Sequence, residues 1–240
     1  VLGQALSAAE QTVPSDRPVH SLHAYFLLPG DVKAPIVYEV DRIRDGGTFT
    51  TRRVKAIQHG RAIFNLSASF QLDEPGFDHQ DPVPEVEGPE GLPSEQELVQ
   101  RIAHHLPSGM RRRADHDRPI ELRPISPINP LAPEVRSPCR RAWMRTPDRL
   151  PDDPAVHRHL LAYASDFHLL TTALLPHGVS WMTPGMQVAS LDHAMWFHRP
   201  FHADDWLLYD QVAQSTTSAR GLARGSIFTS DGQLAISVVQ

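Results

Sequence analysis

Cysteine is almost missing from this chain. Cys139 is the only one in 240 residues, so neither a disulfide framework nor a thiolate metal cluster can be assembled. That usage fits a reducing compartment, and a cytoplasmic location is expected. Long apolar runs are missing too; none approaches the ~18 residues of a membrane-spanning helix. There is no excess of basic charge, since 23 Lys and Arg against 28 Asp and Glu leave a net charge of −5 with His neutral. This removes the global positive field of a nucleic-acid binder and leaves room only for a local basic pocket facing an anionic ligand. No Gly-x-Ser-x-Gly elbow occurs, which counts against a serine hydrolase of that type. The chain opens on Val1 rather than Met and closes inside a strand pattern. The expectation is that both ends are cut, so that any targeting signal lies outside the sequence.

What is present falls into three stretches. The first, 1–71, begins with an Ala-rich helix over 2–13, with Leu2, Ala5, Leu6, Ala9 and Val13 on one face and Pro14 as its stop. Strands follow at 36–40, 48–58 and 62–71, with His59-Gly60 as a turn. The second stretch, 72–155, is a connector rich in Pro, Gly, Asp and Glu. It carries a short helix near 94–105, capped reciprocally by Ser94 and Glu97, and edge strands near 120–123 and 142–145. Its Arg111-Arg112-Arg113 run reads as solvated. The third, 156–240, returns to the first pattern: a helix over 156–164, a second helix opened by Asp166, then strands at 188–198, 207–212, 218–228 and 233–240, with an Asp231-Gly232 turn. Apolar residues at 167, 169, 170, 173, 174 and 175 give the second helix a core-facing stripe, Asp166 stands at its N-cap position, and Pro176 with Gly178 ends it.

The outer stretches rhyme. Phe26, Pro29 and Tyr38 recur as Phe197, Pro200 and Tyr209 with the same spacings. Ser21-Leu22 precedes Gln71 by the same 50 residues that separate Ser190-Leu191 from Gln240. A duplicated unit follows, each copy one helix wrapped by an antiparallel sheet, giving an α+β fold.

Taken singly, the polar residues of the third stretch have bland readings. Asp166 is a helix cap, Ser190 a strand serine, and Gln240 a sheet-edge residue. Several strings together change that weight: Val1-Leu-Gly-Gln-Ala-Leu6, Ser21-Leu-His-Ala-Tyr-Phe-Leu-Leu-Pro-Gly-Asp31, Tyr163-Ala-Ser-Asp166, Leu191-Asp-His-Ala-Met-Trp-Phe-His-Arg-Pro200, Arg220-Gly-Leu-Ala-Arg-Gly225 and Val239-Gln240. With them the chain resembles the acyl-CoA thioesterase II family. That resemblance implies a double hotdog fold and hydrolysis of medium- or long-chain fatty acyl-CoA to free acid and CoA. It also implies a site made of Asp166, Ser190 and Gln240, with no cofactor and no metal. It further implies an acyl-CoA partner and a homo-oligomer, dimeric or tetrameric.

The three residue types suit that reaction. A thioester needs a positioned water, a group to take or orient its proton, and donors for the oxyanion. Asp166 accepts a hydrogen bond from water, and Ser190 and Gln240 both donate and accept. Amides at the start of the helix opened by Asp166 are the expected oxyanion donors. Arg199, Arg220 and Arg224 are the cations considered for the CoA phosphates. His193 and His198 should face opposite sides of a strand and read as structural. His104-His105 and His157-x-His159 lack further ligands at zinc spacing.

Two other functions use the same fold. A hydratase or dehydratase would resemble Asp-x-Asn-x-x-His, but here His168 stands at the second position and Thr171 at the fifth, and Thr is no acid or base near pH 7. A non-catalytic acyl-CoA-binding module would have no need of the intact Asp, Ser and Gln set.

Overall fold

The computed structural model describes residues 1–105 and 119–240; the Arg111-Arg112-Arg113 run lies outside the described residues. The elements are, in chain order, α1 (Leu2–Glu10), β1 (Val19–Phe26), β2 (Val37–Asp45), β3 (Phe49–Gln58), β4 (Arg61–Gln71), α2 (Glu95–Arg101), β5 (Glu121–Pro124), β6 (Cys139–Arg145), α3 (Pro154–Ala164), α4 (Leu169–Thr172), β7 (Asp192–Phe197), β8 (Leu207–Thr217), β9 (Arg220–Thr229) and β10 (Leu234–Val239). Local chemistry accounts for most of them. In α1, Leu2, Ala5, Leu6 and Ala9 are buried at helical spacing. In β3, Thr50, Arg52, Val54, Ala56 and Gln58 are buried on alternate positions. The β3–β4 hairpin turns through His59 and Gly60, both left-handed. Ser94 and Glu97 close the capping box of α2 from both sides.

The ten strands form one antiparallel sheet in the order β2-β3-β4-β1-β7-β10-β9-β8-β6-β5. Both halves repeat one order about the central β1·β7 pair, since β2-β3-β4-β1 is matched by β8-β9-β10-β7. β6 and β5, from the connecting stretch, extend the second half. α1 packs on β2, β3 and β4, α4 on β8 and β9, and α3 on α1. α1 and α3 approach closely at Gly3, where any Cβ would lie 2.3 Å from the carbonyl oxygen of His159. Glu10 of α1 then bridges to Arg158 and His159 of α3.

The register fixes how the halves correspond. His23 of β1 faces Ala194 of β7, and these two are each other's equivalents at the offset of the Phe26/Phe197, Pro29/Pro200 and Tyr38/Tyr209 matches. The other match does not survive. His23 pairs with Ser67 on β4, and Ala194 pairs with Val239 on β10. Val239 therefore stands where Ser67 stands, and Gln240 takes the place of Ala68 rather than Gln71. A shared 50-residue spacing was offset by different loop lengths within the halves.

Two further expectations change. The strand expected over 207–212 runs on to Thr217, and the one expected over 218–228 begins at Arg220 as β9, with Ser218 and Ala219 left-handed in the turn between them. The helix expected from Asp166 also differs. α3 ends at Ala164, residues 165–168 run through turns, His168 is left-handed with φ 65°, and α4 is a single turn from Leu169. Pro176 and Gly178 do end the segment, with Gly178 left-handed at φ 61°.

Candidate active site

The break after α3 exposes backbone carbonyls, and side chains of β8 receive them. Tyr209 donates its phenol to the carbonyl of Ser165, and Gln211 donates its amide to the carbonyl of Phe167 at 2.7 Å. Thr171 and Thr172 donate their hydroxyls to the carbonyl of His168 at 2.9 and 3.0 Å. Three of the turn's carbonyls, those of Ser165, Phe167 and His168, thus find side-chain donors. Gly225 makes room for it, because a Cβ there would lie 2.3 Å from the Tyr209 ring. Burial pushes the Tyr209 phenol far above its ordinary range, so it acts only as a neutral donor.

Asp166 sits in this turn, two residues past the C-terminus of α3. It opens no helix, so the row of free amides expected from that placement does not lie beside it. Ser190 lies just before β7. Gln240 follows β10 and stays in the ladder through reciprocal backbone hydrogen bonds with Ala223, each 2.9 Å. β7 and β10 are antiparallel, with Ala194 opposite Val239, so the start of one adjoins the end of the other. This brings Ser190 and Gln240 together across 50 residues of chain.

The three side chains touch directly. Gln240 donates Nε2–H to Ser190 Oγ at 2.8 Å, and Ser190 donates its hydroxyl to Asp166 Oδ1 at 3.3 Å. The second contact is long for an O–H···O bond, a looseness common at sites that tighten around substrate. Valences remain. Asp166 keeps lone pairs, Ser190 one more acceptor position, and Gln240 a second amide hydrogen. A water among them can donate to the carboxylate and accept from the amide.

Behind Gln240 lies a fourth group. His193, 1 % exposed, sits 2.6 Å from Gln240 Oε1 through Nδ1, and its Nε2 sits 2.9 Å from Ser165 Oγ. With Gln240 Nε2 occupied by Ser190, Oε1 is the acceptor, so Nδ1 carries the proton and Nε2 is left as an acceptor beside Ser165 Oγ, which also lies 3.0 Å from the Ala162 carbonyl. Burial pulls the His193 pKa below its ordinary value, against the opposing pulls of Gln240, Asp166 and Asp192. His198, five residues on, is exposed and contacts Ser237 at 2.9 Å. The opposite facing follows from strand alternation; the contact of His193 with Gln240 depends on the partner strand and has no local signal.

Several other candidates separate from this site. Arg199 is held by Asp78 and the Leu234 carbonyl. Arg224 is exposed on the strand face opposite buried Ala223, and so points away from Gln240. His159 engages Glu10. His157, His202 and Asp204 bring ligand-capable atoms within 4.8 Å of one another. However, His157 Nδ1 already accepts the Ala203 N–H at 2.9 Å, so a metal at Nε2 would require an imidazolate; the donors do not fit. A cavity of ≈ 710 Å³ between α2, β5 and α3, lined by Glu95, Ile120, Leu122, Leu150 and Leu160, includes none of the three residues. Among the described residues no helix is long and apolar enough to cross a membrane.

Comparison with known proteins bears on the whole chain. The sequence profile of a family described as Acyl-CoA thioesterase matches residues 110–240, and that of an Acyl-CoA thioesterase N-terminal domain matches 1–71. The chain is 42% identical over 240 residues to Acyl-CoA thioesterase 2 of Haemophilus influenzae, covering 100% of this chain and 84% of that protein. The crystal structure of an acyl-CoA thioesterase II, TesB2, from Mycobacterium marinum superposes with a TM-score of 0.82 at 43% identity, covering 99% of this chain and 84% of the other. A protein with a hot dog fold from Alicyclobacillus acidocaldarius shares the architecture, with a TM-score of 0.76 at 18% identity over 100% of this chain and 83% of the other.

Proposed function

The chain belongs to the acyl-CoA thioesterase family, and on that premise we propose that it hydrolyses fatty acyl-CoA with a water held by Asp166, Ser190 and Gln240. Its fold is the double hotdog and its activity that of a thioester hydrolase, in keeping with full-length relatives at 42–43% identity. The observation that carries the residue assignment is the unbroken hydrogen-bonded contact from Gln240 through Ser190 to Asp166.

In this reading Asp166 accepts a hydrogen bond from the water and takes its proton as the oxygen attacks the thioester carbonyl. Gln240 and Ser190 fix the direction of attack. The second amide hydrogen of Gln240 is the donor at hand for water or for the developing oxyanion, replacing the helix amides that Asp166 does not provide. Collapse of the tetrahedral species breaks the C–S bond. The thiolate leaves and takes from Asp166 the proton drawn from the water, giving CoA-SH and the free carboxylate base, and the acyl group leaves as the carboxylic acid. Among the described residues the Ser190 hydroxyl meets Asp166 and Gln240 and no histidine base, which favours its role as a relay over that of a nucleophile. Medium- or long-chain acyl groups and a cytoplasmic setting belong to the same reading. So does association into a dimer or tetramer, supported by apolar side chains left exposed at Tyr25, Leu27, Val37 and Leu191. The net charge of −5 supports the absence of nucleic acid among its partners.

Release of free thiol from a long-chain acyl-CoA, with rapid-quench mass spectrometry of the protein during turnover, tests the direct route. Turnover with no acyl adduct is expected. An acyl group trapped on Ser190 or Asp166 would replace direct attack with a covalent intermediate.

A further inference from the structure

We propose that His193 is a positioning residue for the thioesterase reaction: its Nδ1–H locks the side-chain amide of Gln240 in the one orientation that presents Nε2–H to Ser190 and to the reacting water. The inference rests on the reading of Gln240 above and deepens it.

The geometry carries the argument. A glutamine amide is nearly symmetric in shape, and its two ends differ only in whether they donate or accept. Rotated by half a turn, Gln240 would present Oε1 to Ser190, with no hydrogen to offer a water or an oxyanion. Ser190, whose one hydrogen goes to Asp166, disfavours this from one side, and the ring of His193 blocks it from the other. His193 Nδ1 lies 2.6 Å from Oε1; an N–H there accepts only the carbonyl end and repels the amino end. The imidazole is fixed in turn. Ser165, fully buried, places Oγ 2.9 Å from Nε2 and 3.0 Å from the Ala162 carbonyl; with the ring proton on Nδ1, facing Oε1, its one hydroxyl hydrogen turns to Nε2. Tyr209 holds the Ser165 carbonyl, so the chain of orientation starts at the turn that carries Asp166. One connected relay therefore aligns both ends of the site, the carboxylate through the turn and the amide through the ring.

The first half of the molecule supplies a control. At the position equivalent to His193 it has Leu22, fully buried, and at the position equivalent to Gln240 it has Ala68. The sheet needs no histidine there to pack. The imidazole occurs in the half that has an amide to orient.

The test is a double-mutant cycle on purified full chain with a long-chain acyl-CoA, read as kcat and KM separately. His193→Leu keeps the volume and has the first half as a precedent for folding; it should lower kcat about 10- to 100-fold with KM nearly unchanged, the cost of a misplaced catalytic group. His193→Asn places Nδ2 near the lost Nδ1 and should recover most of that loss. The pair His193→Leu with Gln240→Ala should be no slower than Gln240→Ala alone, because both act through one group. A fast His193→Leu enzyme beside a slow Gln240→Ala enzyme would overturn the positioning role and leave the water site standing. A fast Gln240→Ala enzyme would overturn both. If His193→Leu fails to fold, ¹⁵N spectra of histidine-labelled wild-type protein decide: a neutral ring with the proton on Nδ1 is expected, and a proton on Nε2 would overturn the proposal.

Discussion

Asp166, Ser190 and Gln240 share their hydrogens in a fixed sense, amide to hydroxyl to carboxylate, and that sense decides what each substitution should do. Gln240→Ala removes the donor at one end and leaves the carboxylate intact. It should lower kcat about 10- to 100-fold with little change in KM, by steady-state thiol release. A change confined to KM would make Gln240 a substrate contact instead. The three positions were singled out in the sequence through a family motif, and the sheet brings them within hydrogen-bond reach. His193 lies inside that same motif, yet its use was not legible. Strand alternation says which way it faces, but only the antiparallel pairing of β7 with β10 says that it meets the carbonyl oxygen of Gln240.

At the scale of elements, the segment after α3 shows where local reading stops. Its apolar spacing suits a helix, and Asp166 suits a cap, so periodicity favours one continuous helix from 166. The molecule instead turns through 165–168, because Tyr209 and Gln211 reach from β8 to receive the freed carbonyls. Those partners are 44 residues away in sequence, and no window along the chain can weigh them. The caps and hairpins with adjacent partners, Ser94 with Glu97 and His59-Gly60, were readable for the opposite reason. Tyr209→Phe tests this balance. It leaves a buried carbonyl at Ser165 without its phenol donor and should cost about 1–3 kcal/mol in urea unfolding, with kcat falling as the Asp166 turn loosens. Unchanged stability and unchanged kcat would mean that the turn is held by other contacts.

For the whole molecule, two halves share one strand order and carry different side chains. In the first half Leu22 and Ala68 stand at the positions of His193 and Gln240, and Arg52, fully buried, stands opposite Ala68 where Ala223 stands opposite Gln240. Its guanidinium is spent on Thr12, Asp45 and nearby carbonyls. The interior also sets a pH dependence. Burial holds His193, and the half-buried His20, below the ordinary histidine range, so the unfolded chain binds more protons than the native one as acidity rises. The stability these neutral rings contribute is complete above the unfolded pKa of about 6.5 and is lost as pH falls from there through their folded values. Glu10 adds a later loss. Burial works to raise its pKa, but the hydrogen bonds from His159 and Arg158 prevail and lower it, so its contribution disappears only within the carboxylate range. Melting temperatures should therefore drop between pH 7.5 and pH 5; a flat or rising profile would contradict the account of the buried histidines.

Because the first half has no equivalent set of groups, the turnover of the entire chain should depend on one carboxylate. The measurement that tests this most directly is kcat for Asp166→Asn with a long-chain acyl-CoA, on protein shown by circular dichroism to be folded. The account predicts a loss of about 100-fold or more, the scale of a missing general base. A folded Asp166→Asn protein turning over near the wild-type rate would contradict it.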